Sequence, residues 1–133
     1  MVARLATPLA ERLGHAAAAA PGLSMLVLYG SHARGDARPD SDWDLAYQAT
    51  AGFDPDALLA AVAETLKVDE IDLVDLDRVG ALLRHRVARD AVVLFEREPG
   101  RFERFWLDAV STWCDLAPVL EPLYGGVLES LPR

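Results

Sequence analysis

The sequence predicts an α/β or α+β sandwich: one small mixed β-sheet flanked by helices, with an extra helix toward the C-terminal end. Three observations predict it. Short apolar runs that suit buried strands, such as Met25 to Tyr29 (MLVLY), alternate with stretches whose apolar residues recur at helical spacing. A helix-patterned segment separates the second and third strand-like runs, as a crossover requires. Finally, 133 residues, 52% of them hydrophobic, suffice for one real core and leave no room for a second.

Each element has a local reason. Thr7 and Pro8 open a first helix as N-cap and first helical residue, and Pro21-Gly22 closes it. The alanine-rich run from His15 to Ala20 has high helix propensity and reads as the end of that helix. The first strand is about Leu23 to Tyr29, followed by a Gly30-Ser31 turn, a short helical piece over Ser31 to Arg34, and a second strand from about Asp42 to Gln48. Asp54-Pro55 caps a second helix whose Leu58, Leu59, Val62, Ala63 and Leu66 recur at helical spacing.

The third strand runs from Val68 to Leu76, with Ile71, Leu73 and Asp75 on one face and Glu70, Asp72 and Val74 on the other. Asp75 or Asp77 then caps a third helix through Arg89, with Val79, Leu82, Leu83 and Val87 inward and Arg84, His85, Arg86 and Arg89 largely outward. Ala91 to Glu96 is a short closing strand. After a break at Glu98-Pro99-Gly100, the residues Phe102, Phe105, Trp106, Ala109, Val110, Trp113, Leu116 and Ala117 trace a helical stripe. Three prolines and two glycines from Pro118 onward predict an irregular tail. The expected organisation is one domain, with a core over about 22–97 and a final helix over about 99–117.

Charge narrows the function classes. A formal charge of −8, with Lys67 the single lysine among thirteen basic residues, argues against direct nucleic-acid binding and suits a basic protein partner. Cys114 is alone, so it forms no internal disulfide and is expected to be a small core residue. No signal-like segment and no apolar run of membrane-spanning length is found, so a cytoplasmic protein without membrane contact is expected. His15 and His85 lack any zinc-binding spacing, and His32 reads as a packing or hydrogen-bonding residue.

The chemistry is concentrated in one frame: Gly30-Ser31, ten residues, Asp42, one residue, Asp44. Carboxylates two apart on a strand project from one face and can hold one cluster of hard cations. Small residues at the end of the preceding strand let backbone amides and a hydroxyl approach a phosphate. Mg²⁺ takes one or two carboxylates together with substrate phosphates, so the combination reads as Mg-nucleotide chemistry. A two-metal site needs a third carboxylate from a neighbouring strand.

Gly30 to Leu45 (GSHARGDARPDSDWDL) closely resembles the signature of the DNA polymerase β-like nucleotidyltransferases. In particular it resembles the minimal nucleotidyltransferases of the MntA type, antitoxins paired with HEPN-domain toxins, and Ile71 to Glu96 carries a weaker match. The resemblance implies a nucleotidyltransferase fold and a third aspartate on the strand after the crossover helix. Asp72, between Ile71 and Leu73, matches it best, and Asp75 is the rival.

By the same resemblance, Asp42 and Asp44 bind the metal carried by ATP, and Asp72 joins them to hold a second Mg²⁺ and help deprotonate the acceptor. Gly30 and Ser31 contact the β- and γ-phosphates. Arg34 either neutralises triphosphate charge or is a surface arginine, Gly35 serves the turn, and Arg38 and Ser41 are weaker candidates. The implied activity is transfer of AMP from ATP to a tyrosine hydroxyl of a HEPN ribonuclease toxin. The alternatives are a binding-only antitoxin that uses the aromatic last helix, and a small-molecule nucleotidyltransferase working as a dimer.

Overall fold

A strand covered on both faces organises the chain. The structure, a computed structural model, describes residues 7–130, with side chains there except at 121 and 124–130. In it, β1 (Leu23–Tyr29) is buried at every residue but Ser24, which is why it reads as a near-continuous apolar run. It pairs antiparallel with β2 (Trp43–Ala49) and with β4 (Val92–Glu96), while β2 pairs parallel with β3 (Ile71–Asp75). The sheet order is β3-β2-β1-β4. The helices are α1 (Thr7–Ala18), α2 (Ser31–Arg34), α3 (Pro55–Leu66), α4 (Ala81–Asp90) and α5 (Arg101–Ser130). This is the mixed, helix-flanked sheet that the sequence predicts, with α3 as the crossover between parallel strands.

Alternation along the strands creates two cores. Leu26, Leu28, Leu45 and Tyr47 face Leu13, Ala17, Leu58 and Val62 of α1 and α3. Met25, Val27, Tyr29 and Ala46 face Val87, Ala88, Phe105 and Ala109 of α4 and α5. Asp54 caps α3 by accepting from the amides of Asp56 at 3.0 Å and Ala57 at 3.4 Å. Arg97 closes the other end of the sheet, donating to the carbonyls of Leu23 at 2.8 Å, of Ala18 at the end of α1, and of Ala20 in the turn that follows. The buried Gln48 accepts from Arg101 at the start of α5 and donates to Asp77 before α4, each at 3.1 Å.

Several expectations fail for local or packing reasons. Gly80 rather than an aspartate stands at the N-cap of α4, and Asp75 instead accepts from the amide of Asp77 at 2.9 Å within the turn. Arg84, His85 and Arg86 are not a solvated face, because α5 lies over α4. Arg84 sits above the Phe105 ring and pairs with Asp108 at 2.8 Å, and the His85 ring stacks on Trp113 with centroids 4.6 Å apart. Cys114 is exposed, on the side of α5 turned away from the sheet.

The segment from Pro118 is helical through Ser130 rather than irregular. Each proline removes one helical hydrogen bond and crowds the carbonyl four residues back. Pro118 and Pro122 are both exposed, so water reaches the affected backbone. The stripe on α5 therefore divides: Phe105 and Ala109 are buried, whereas Leu116, Val119 and Leu123 are exposed. At 100° per residue these three share the face of Phe105, so the seam continues beyond what covers it. Among the described residues, no helix is long and apolar enough to cross a membrane.

Two outcomes follow from this packing. Phe105→Ala is expected to cost about 3 to 5 kcal/mol in urea unfolding, and Leu123→Ala within about 0.5 kcal/mol. Burial first, then the Arg89 charge, lowers the pKa of His85 from 6.5, and its Nδ1 is buried without a hydrogen bond. The unfolded chain therefore takes up that proton first, so the stability contribution is complete above about pH 6.5 and declines as pH falls toward the folded pKa. Thermal melts from pH 7.5 to 5 should show a shallower loss for His85→Phe than for the parent.

Candidate active site

The chain must turn at the end of β1 to lay α2 over the sheet edge. Gly30 makes that turn at φ 77° and ψ −157°, a conformation that favours glycine. Its carbonyl accepts from the amides of Ala33 at 3.1 Å and Arg34 at 3.0 Å, which starts α2. The first amides of a helix have no intrahelical partner, and here those belong to Ser31 and His32. Space also excludes a side chain at Gly30: a Cβ there would stand 2.4 Å from Oδ2 of Asp44. The Asp44 carboxylate thus lies directly against the Gly-Ser bend.

Tyr29, Asp44 and Asp72 form a row across three strands, Tyr29 opposite Asp44 and Asp44 opposite Asp72. Partners in register share a face, here the one that α4 and α5 cover farther along. The exposed Asp42 and Asp72 line one open depression of about 390 Å³ with Asp69, Glu70 and Ile71. Asp75 is opposite Tyr47, whose side chain belongs to the other core, and it lines a separate depression with Asp77 and Arg78. Of the two candidate third carboxylates, Asp72 stands beside Asp44 and Asp75 does not.

The row is electrostatically strained. Burial, then the charges of Asp72 and Asp42, raise the pKa of Asp44, while Arg86 and His32 act in the opposite sense. The Tyr29 hydroxyl is likewise pushed up, by burial first and then by Asp44 and Asp72. Carboxylates crowded in this way hold a proton or a cation more readily than isolated ones.

Other named residues have closer partners. Arg34 pairs with Asp90 at 3.0 Å and Asp36 at 3.2 Å, and the Asp90 side chain is only 5% exposed, so Arg34 ties α2 to the end of α4. The His32 ring stacks on Trp43 with centroids 3.7 Å apart, and its Nε2 lies 3.2 Å from the Ser41 carbonyl oxygen. The Ser41 hydroxyl accepts from the Arg38 amide at 2.7 Å and shapes the loop before β2. Tyr29 and Arg86 stand near the carboxylates but were missed as site residues from sequence. The signal for Tyr29 is strand register, and for Arg86 its position three residues after the core-facing Leu83.

Among the described residues, no three His, Cys, Asp or Glu side chains form a ready-made metal cage. Mg²⁺ does not need one: it takes one or two carboxylates and completes its shell with water and substrate phosphate oxygens. Asp44 and Asp72 supply a donor set of that kind, hard oxygens whose mutual repulsion a cation relieves.

A mixed sheet of this order, with an aspartate at the start of its second strand against a glycine-serine bend, is a nucleotidyltransferase fold. The chain belongs to the polymerase beta nucleotidyltransferase family, whose family model matches residues 11–100. The protein adenylyltransferase MntA of Aphanizomenon flos-aquae (strain 2012/KM1/D3) is 37% identical over 97 residues. That match takes in 64% of this chain and 65% of the relative, so the chain spans just under two thirds of the curated relative's length.

Among solved structures, a chain in a crystal structure of a toxin–antitoxin with AMP-PNP has a TM-score of 0.71 at 24% identity, over 93% of this chain and 99% of that one. A chain in the complex of tri-AMPylated Shewanella oneidensis HEPN toxin with MNT antitoxin has a TM-score of 0.61 at 24% identity, over 81% of this chain and 85% of that one. At these identities the two structures show the shared fold.

Gly30→Ala tests the bend. It combines a disfavoured φ with a contact to Asp44, and is expected to cost about 2 kcal/mol or more in unfolding free energy. Any folded fraction should have a displaced Asp44 carboxylate and weakened Mn²⁺ binding, measurable by titration calorimetry.

Proposed function

We propose that this protein is an ATP- and Mg²⁺-dependent adenylyltransferase that moves AMP onto a tyrosine hydroxyl of a HEPN ribonuclease toxin and thereby acts as its antitoxin. The observation that carries this reading is the Asp44–Asp72 pair set against Gly30. The relative from Aphanizomenon flos-aquae is named a protein adenylyltransferase, and the two similar structures contain, respectively, AMP-PNP and a tri-AMPylated HEPN toxin. These names support the donor and the acceptor class. ATP use suits a cytoplasmic setting, and the charge of −8 suits a protein acceptor better than direct nucleic-acid contact.

In this reading Gly30 and Ser31 seat the β- and γ-phosphates through backbone amides and the serine hydroxyl, while Arg34 holds α2 in place beneath them. Two Mg²⁺ ions held by Asp42, Asp44 and Asp72 would acidify the attacking hydroxyl, offset charge on the α-phosphate and steady the leaving pyrophosphate. Asp72 takes the proton as the tyrosine oxygen bonds to the α-phosphorus. The bond from that phosphorus to the bridging oxygen breaks, and pyrophosphate leaves with the electron pair. The added AMP brings bulk and negative charge to a surface that must otherwise receive RNA phosphates.

The exposed Trp106, Leu116, Val119 and Leu123 of α5 favour a second reading, neutralisation by binding alone. One experiment separates the two: incubation with ATP, Mg²⁺ and the HEPN toxin, followed by intact-mass measurement of the toxin. Mass increments of one or more AMP groups are expected. Asp44→Asn and Asp72→Asn should each slow their appearance by roughly a thousandfold. An unchanged toxin mass, with Asp44→Asn still neutralising the toxin, would replace the enzymatic reading with the binding one.

A further inference from the structure

We propose that Arg86 belongs to the carboxylate site, where it serves as an internal counter-charge to the Asp44–Asp72 pair when no divalent cation is bound. The proposal rests on the reading of these aspartates as cation ligands.

The position of Arg86 on α4 is unusual for an arginine. Leu83, one turn earlier, and Val87, the next residue, both join the core formed with Met25, Val27, Tyr29 and Ala46. Arg86 therefore occupies the sheet-facing flank of the helix and is half-buried. Its Nε is fully buried with no hydrogen-bond partner. Among the described residues, none of the ion pairs within 4.0 Å involves it. The neighbouring arginines differ: Arg84 pairs with Asp108, and Arg89 pairs with Asp90.

A leucine or methionine at this position would pack without leaving a buried donor unsatisfied. Tyr29, in register with Asp44, belongs to the same core as Leu83 and Val87, so this flank of α4 lies against the row. The charge of Arg86 acts on both Asp44 and Tyr29, in each case opposing the effect of burial and of the other carboxylates. Because Arg86 is not locked to either aspartate, its side chain can yield when a divalent cation enters, and the two cations then repel each other.

This predicts a behaviour that a purely structural arginine would not show. Removing Arg86 should strengthen divalent-cation binding while weakening the metal-free fold. Mn²⁺ titrated without nucleotide at low ionic strength should bind Arg86→Gln roughly fivefold more tightly than the parent, and Arg86→Lys about as tightly as the parent. In melts without divalent cation, Asp44→Asn should raise Tm more in the Arg86→Gln background than in the parent background. Arg86→Met, which keeps the packing of the side-chain stem, takes the place of Arg86→Gln if the latter does not fold.

Equal Mn²⁺ affinity in parent and neutral variants, with additive changes in Tm, would overturn the proposal. Neither measurement depends on nucleotidyl transfer. An unmodified toxin together with the predicted Mn²⁺ and Tm results would therefore sink the adenylyltransferase reading alone, whereas AMP transfer with unchanged Mn²⁺ affinity would sink this inference alone.

Discussion

The site depends on one close approach, the Asp44 carboxylate lying where any side chain on Gly30 would have to be. That contact couples two demands usually met by separate parts of a protein. The left-handed turn at Gly30 ends a buried strand and starts a four-residue helix, and the space it leaves open admits a charged group from the adjacent strand. The backbone amides of Ser31 and His32, which have no partner within α2, thus stand beside a carboxylate. The pairing of β1 with β2, Tyr29 opposite Asp44, sets the distance between them.

The sheet divides its labour along its length. Away from the site, the face carrying Asp44 is sealed by α4 and α5 through Val87, Ala88, Phe105 and Ala109. Toward the site, the same row of positions is occupied by Tyr29, Asp44 and Asp72, and it passes from the buried Tyr29 to the exposed Asp72, which lines the open depression. The transition from apolar to acidic takes a single step of the pleat, from Val27 and Ala46 to Tyr29 and Asp44. Arg34 and Asp90 brace this border by joining α2 to the end of α4.

Much of this was legible in the residues. β1 and α2 fall on the predicted residues, because an apolar run bounded by Gly-Ser leaves little choice, and Asp54-Pro55 is a cap with a clear mechanism. β2 begins one residue later than predicted, and β3 begins at Ile71 rather than Val68, since Lys67 turns left-handed and the Val68 amide bonds back to Ala63 at the end of α3. What the sequence hid was tertiary. Nothing in the spacing of Arg84, His85 and Arg86 reveals that a second helix lies across them. The prolines at 118 and 122 signal a break unless their exposure is known. Cys114 could be placed only by knowing which side of α5 meets the sheet. The Asp72 and Asp75 alternatives differ by three positions, and register alone puts one beside Asp44 and the other beside Tyr47.

The hydrogen bonds of Gln48 carry a consequence of their own. They anchor the origin of α5 at the end of β2 remote from the aspartates, and thirty helical residues extend about 45 Å from that anchor. Packing through Phe105 and Ala109, and the stacking of Trp113 on His85, hold the first half of that rod to α4 and so set the direction in which the rest projects. The outer half of the helix is therefore aimed by contacts at Gln48 and along α4, all of them apart from the row of Asp44 and Asp72.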